Sequence, residues 1–207
     1  MDEEKLLLVI AVVAVIASLI AAGFTYFSIA SLVTKVSGFA TGEANLTIES
    51  LASINFTTNS IDWGSGQVDS GAPSAQLTTL ETGNVTNGNW TLATSGGLRI
   101  ENIGNVNVSL NLSVGKSPSA FLGGTSPGYE WNVSNIETGS CLNSTGGTGN
   151  LNLGTWSSTS TTSTNFCGIL QFVTASDSVR IDLNLTVPSD SLTGSLGDTI
   201  TATVVSV

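Results

Sequence analysis

From Leu6 to Thr34 the chain reads LLLVIAVVAVIASLIAAGFTYFSIASLVT, a stretch without a single charged residue. As an α-helix it would reach roughly 40 Å, more than the ~30 Å of a hydrocarbon core. Leu6 to Ala22 is almost purely aliphatic, whereas Gly23, Thr25, Tyr26, Ser28 and Ser31 mix polarity into the second half. A helix that is apolar all round belongs in lipid or at the centre of an assembly, and Tyr26 suits an interface. No other part of the chain limits the possible folds as strongly.

Three readings of this stretch compete. A secretory signal would open on basic residues, yet Met1-Asp2-Glu3-Glu4-Lys5 is net acidic and the apolar run is too long. A small-residue cleavage site does stand around Ser28-Ile29-Ala30. A buried core helix of this length fits poorly with the all-β pattern that follows. The favoured reading is a retained span or the assembly helix of a filament subunit. Within it Ala14, Ser18 and Ala22 fall on one four-residue row, where small side chains allow close helix packing.

Lys5 and Lys35 flank the span one against one, so basic residues do not orient it. The cysteines, the glycosylation-type sequences and the polar composition do. They give a cytoplasmic start at 1–5, a transmembrane or assembly helix at 6–34, a hinge at 35–44 and an extracellular domain at 45–207.

In that last part the period becomes two. Val106, Val108, Leu110, Leu112 and Val114 alternate with polar residues, as do Val179, Ile181, Leu183, Leu185 and Val187. These patterns predict half-buried strands. Weaker candidates are Leu46–Ile48, Ile54–Phe56, Trp90–Leu92, Leu98–Ile100, Phe166–Val173 and Thr199–Val207. Turn signals at Gly64-Ser65-Gly66, Asn87-Gly88, Gly96-Gly97 and Gly123-Gly124 separate them, and no helical pattern follows the first segment. The expected fold is mainly β: one long N-terminal helix, then an antiparallel β-sandwich or jelly roll.

Cys141 and Cys167 are the two cysteines, both beyond the span. An even count in a translocated domain favours a disulfide, which would contribute about 3 kcal/mol by closing its loop. Between them runs a Ser/Thr-rich stretch, Trp156 to Phe166, readable as a modified or binding loop or as a pinned surface insertion.

Asn-x-Ser/Thr occurs at Asn45, Asn55, Asn84, Asn89, Asn107, Asn111, Asn132, Asn143 and Asn184. Roughly five such triplets would arise by chance in a chain so rich in Asn, Ser and Thr. The middle residue is usually apolar, so on a strand it points inward while Asn and Ser/Thr share the accessible face. Those faces would suit glycans, or would simply be solvated.

Net charge is −10, from 5 basic against 15 acidic residues. A surface this poor in cations does not hold a phosphate backbone, which argues against nucleic acid. Without any His, the Ser–His and Cys–His nucleophile pairs and ordinary zinc sites are missing. Paired carboxylates remain available among Asp62, Asp69, Glu81, Glu101, Asp177, Asp182, Asp190 and Asp198, but their spacing does not say that any converge. No catalytic residue, metal ligand or cofactor is therefore assigned. Asp-lined calcium loops lack a motif, and Lys116 is the one ectodomain lysine for an intramolecular Lys–Asn crosslink.

Two runs carry resemblances. Leu98-Arg-Ile-Glu-Asn-Ile-Gly-Asn-Val-Asn-Val-Ser-Leu-Asn-Leu-Ser-Val114 resembles the N-x-G-N strand pair of extracytoplasmic immunoglobulin-like domains. Val187 to Thr203 resembles the last hairpin of such domains. The whole layout resembles single-span surface proteins of archaea, notably DPANN symbionts. It is also similar to archaeal type IV pilins, although Glu4-Lys5 stands where their leader normally ends in Gly or Ala. A third likeness is to camelysin/TasA-type fibre proteins, whose leader is cleaved and whose jelly-roll units exchange strands; Ala30 would then be the cleavage point. Together these imply a non-enzymatic, membrane-anchored surface protein with a structural or adhesive role, or else a filament subunit; an extracellular carboxylate hydrolase is the distant third. The implied partners are membrane lipid along residues 6–34 and further copies of the chain.

Overall fold

The computed structural model describes residues 2–33, 46–91, 96–147 and 153–207. They divide into two compact units, Met1–Ile48 and Glu49–Val207. Thr34, the expected hinge at 35–44 and Asn45 lie outside the described residues.

The first unit is helix α1 (Glu3–Val33). It begins ahead of the apolar run, because Glu3 and Glu4 occupy its first turn, where carboxylates suit the positive end of the helix dipole. Its side chains from Glu3 to Ser28 are exposed, and polar and apolar faces are not distinguished. Residues 3–28 are long and apolar enough to cross a membrane. The Ser18 hydroxyl donates to the Ala14 carbonyl at 2.7 Å and that of Thr25 to the Ala21 carbonyl at 2.8 Å. Both therefore find their acceptors inside the helix.

The second unit holds β1 (Ile54–Thr58), β2 (Ser74–Thr78), β3 (Asn84–Thr86), β4 (Leu98–Asn102), β5 (Val108–Val114), α2 (Pro118–Phe121), β6 (Gly128–Asn135), β7 (Cys141–Leu142), β8 (Ser157–Ser158), β9 (Thr164–Leu170), β10 (Ser178–Pro188) and β11 (Ile200–Ser206). One sheet runs β1-β4-β10-β2-β3, with β6 and then β8 on the far edge of β10; the other runs β11-β5-β9-β7. Every strand pair is antiparallel. The mainly-β architecture after one helix is thus as the alternation predicts.

Both sheets feed one core. β5 buries Val108, Leu110, Leu112 and Val114 from the second sheet, while β10 buries Val179, Ile181, Leu183, Leu185 and Val187 from the first. Trp131 of β6 meets Phe166 of β9 edge-on, ring centroids 4.9 Å apart, which ties the sheets together.

The axis of the larger sheet is β10. Ser178–Ile181 pair with β4, then Asn184–Pro188 pair with β2 on the same edge, while β6 follows the opposite edge throughout. At this handover the ladder would lose partners. Thr79 fills the gap: its N–H donates to the Leu183 carbonyl at 3.0 Å, and its hydroxyl accepts from the Leu183 N–H at 2.9 Å and donates to Asp182 at 2.8 Å. Arg180 closes the network on Asp182 at 2.7 Å and on the Thr79 carbonyl at 2.7 Å. Asp182 is buried and Arg180 partly exposed, and the Asp182 oxygen that meets Arg180 also accepts from Thr79, support of the kind a buried charge needs.

Three expectations change. Leu46 and Ile48 are exposed and in no strand. Trp90 and Thr91 form no strand either, and Leu92 lies outside the described residues. One short helix, α2, does follow the span. Ser117 caps it through the Ala120 N–H and Pro118 begins it, a local signal too brief to show as a period.

Candidate functional site

The two ends of β10 differ in chemistry. At its start sits Asn102, at the end of β4 and buried. Its amide donates to the carbonyls of Val106 at 3.0 Å and Leu170 at 3.1 Å, and its side-chain oxygen accepts from the Gly104 N–H at 3.0 Å. One side chain thereby joins the turn to β9 of the opposite sheet. Three residues on, Asn105 accepts from the Leu51 N–H at 2.6 Å and donates to the Glu49 carbonyl at 2.8 Å, fastening the segment that enters the domain. Gly104 has to be glycine, because a Cβ there would stand 2.2 Å from the Leu51 carbonyl oxygen. The asparagines and glycine of the N-x-G-N sequence are thus a corner of the sandwich.

Beyond the other end of β10 lies a cavity of about 1380 Å³. Its floor includes Leu77, Leu183, Leu185 and Val187 of the larger sheet, and its walls are the irregular segments 59–73 and 189–199. Trp63, Trp90, Phe121 and Tyr129 line it. No Lys or Arg is among the lining residues.

The first wall is held by Asn89-Trp90-Thr91. The Asn89 side-chain oxygen accepts from the Gln67 N–H at 2.7 Å, and the Thr91 hydroxyl donates to the Trp63 carbonyl at 2.8 Å. The Trp90 ring occupies the space where a Cβ on Gly66 or Gly88 would be, at 2.4 and 2.8 Å. Those glycines let the indole lie flat against backbone. This triplet, read from sequence as a glycan acceptor, is also the buttress of the cavity.

The second wall carries Asp198, whose carboxylate packs over Gly115. Burial raises the pKa of the Tyr129 hydroxyl, and the nearby charge of Asp198 and a hydrogen bond to its carboxylate raise it further. No donor meets hydrogen-bond geometry at Asp198 Oδ2, nor any acceptor at Trp63 Nε1, although both atoms are buried. The indole N–H and one carboxylate oxygen of two residues lining the cavity therefore stand without a partner, while the Tyr129 hydroxyl meets the same Asp198 carboxylate. Sequence reasoning missed them, and only their nearness to Gly- and Ser-rich segments hinted at a loop-built site.

Of the eight candidate carboxylates, Asp62, Asp69 and Asp198 line this cavity. Asp62 already accepts from the Gly64 N–H at 2.7 Å, so it serves its turn. Asp182 belongs to the Arg180 network, Asp177 accepts from the Ser178 hydroxyl, and Asp190 is held by the backbone and hydroxyl of Thr125 at 2.8 and 2.7 Å. Those two bonds lower the Asp190 pKa. Among the described residues no three His, Cys, Asp or Glu converge as a metal site. Lys116 donates to the Gly197 carbonyl.

The sulfurs of Cys141 and Cys167 are bonded, with Cα atoms 5.4 Å apart, and link β7 to β9. The Ser/Thr-rich stretch expected as a loop is partly strand, since Ser157–Ser158 form β8 beside β6 and Thr164–Phe166 open β9; residues 148–152 lie outside the described residues.

The Asn-x-Ser/Thr sites separate into groups. Asn55, Asn84 and Asn89 are exposed, while Asn107, Asn111, Asn143 and Asn184 are half-buried. Asn143 folds its oxygen onto Thr145 and Gly147, Asn184 donates to Glu130 at 3.0 Å, and Asn111 accepts from Asn165 at 3.1 Å. Asn132 departs from the expected outward orientation. It is buried, as are both neighbours Trp131 and Val133, and its side-chain oxygen has no partner. A glycan on it is incompatible with this fold.

No family model, no curated protein and no solved structure matches the chain.

Proposed function

We propose that the chain is a non-enzymatic surface protein, anchored by α1 with residues 45–207 outside the membrane, and structural or adhesive in role. The observation that carries this reading is the helix itself. Its described side chains are exposed and its hydroxyls at Ser18 and Thr25 bond within the helix. In lipid an unsatisfied hydroxyl would be costly, and this helix presents none at those positions. The exposed Asn55, Asn84 and Asn89 are the best-placed glycan acceptors. Protease shaving of intact cells expressing the full chain should release a β-domain fragment linked by the Cys141–Cys167 bond. Complete protection of that domain would refute the topology.

A filament subunit is the second reading, favoured by the exposed row Ala14, Ser18 and Ala22, which offers a smooth contact to another helix. Intact mass together with electron microscopy separates the two. A chain starting at Met1 without fibres supports the anchor; fibres with helices along the axis support the subunit.

A further inference from the structure

We infer that the cavity at the end of β10 binds a neutral oligosaccharide, received between the walls at 59–73 and 189–199. The inference deepens the adhesive reading by giving it a ligand class. At about 1380 Å³ the cavity exceeds the roughly 300–1,000 Å³ of ordinary small-molecule sites, so it has room for several sugar units.

Its chemistry narrows the ligand. With no Lys or Arg in the lining and with Asp62, Asp69 and Asp198 present, an anion is repelled. The acids do not assemble a cation site, since Asp62 is committed to Gly64 and no three ligating residues converge among the described residues. A purely apolar ligand would leave Trp63 Nε1 and Asp198 Oδ2 as they are, buried and unpaired. Leaving such an atom without a partner is costly, and a partner of the opposite kind recovers that cost. Sugar hydroxyls both donate and accept, so one ligand class serves the indole N–H and the carboxylate together. The C–H faces of the same sugar rings suit the aromatic lining of the part-exposed Trp63 and Trp90. Neither atom has exposed surface in this structure, so binding through them requires the irregular backbone of the walls to move as the ligand enters.

The test uses the full chain in phospholipid nanodiscs, because maltoside detergents would themselves present sugar. Cellohexaose, maltohexaose, mannohexaose and chitohexaose are titrated by calorimetry and tryptophan fluorescence, with polygalacturonate and Ca²⁺ as charged comparators. At least one neutral hexaose should bind saturably at one per chain. Trp63→Phe keeps a ring but removes the donor, and Asp198→Asn removes the charge; each should weaken binding about tenfold or more, about one hydrogen bond's worth. Phe172→Ala, outside the cavity, should leave it unchanged. The inference falls if no neutral hexaose binds, if binding survives both variants, if only a charged comparator binds, or if a second copy of the chain blocks the cavity. Shaving reads the anchor independently, so a negative result here leaves the topology standing.

Discussion

The two ends of β10 solve the same problem in opposite ways. Where it begins, Asn102 satisfies two carbonyls and one N–H across both sheets, and Asn105 ties down the incoming chain. Where it ends, two irregular segments enclose a cavity and leave an indole N–H and a carboxylate oxygen without partners. Buried polar groups are nearly always paired, so a fully paired cluster reads as architecture. An unpaired atom does not by itself mark a site, since Asn132 Oδ1 is equally without a partner and lies outside this cavity. The contrast is between a fully paired corner and an end where a cavity and unpaired atoms coincide.

The largest effect should come from breaking the satisfied end. Asn102→Ala strands the carbonyls of Val106 and Leu170 and the Gly104 N–H, and should cost about 3–5 kcal/mol, several groups at ~1–3 kcal/mol each. Urea unfolding of the full chain measures it; a loss below about 1 kcal/mol would show that water replaces the side chain and that the corner is not structural.

A smaller effect is expected where packing holds the cavity wall. Gly66→Ala would place a Cβ 2.4 Å from the Trp90 ring, an overpacking that costs about 1–3 kcal/mol. The same substitution should shift the tryptophan emission, because Trp90 must move. An unchanged spectrum would mean that the wall does not rest on that ring.

The smallest effect concerns pH. Tyr129 has its pKa raised above the ordinary 10.0 by burial and by Asp198. A raised folded-state value means its contribution is fully present below about pH 10 and is lost as pH climbs through the folded value. Stability should therefore decline above pH 10, and Asp198→Asn, which removes the neighbouring charge and alters the hydrogen bond to it, should shift Tyr129 ionisation to lower pH. Phenolate absorbance at alkaline pH follows both; an unshifted titration in the variant would separate Asp198 from Tyr129 and dissolve their pairing in the wall.

Much of the fold was legible because its signals are local. An uncharged run of helical length and strict alternation, as in Val108–Val114, reach the eye without any tertiary knowledge, and the structure follows them closely. β6 was not legible. Trp131, Asn132 and Val133 are consecutive and all buried, so the alternation that marks a half-buried strand is broken there. The same loss of alternation hid the burial of Asn132 and made its triplet look like the others. Leu46–Ile48 failed in the opposite sense, alternating like a strand but forming none.

By itself, then, the sequence determined the apolar helix and the mainly-β remainder and favoured a disulfide between its two cysteines, since each follows from composition or from a period within one segment. Tertiary structure alone decided which asparagines are corners and which are surface, where β10 changes partner, and that segments more than a hundred residues apart enclose one cavity. Those outcomes depend on pairs such as Asn102 with Leu170, Thr79 with Asp182 and Trp63 with Asp198. Hydrogen bonds and cavities are made by distance in space, and no periodicity along a chain records which distant residues will meet.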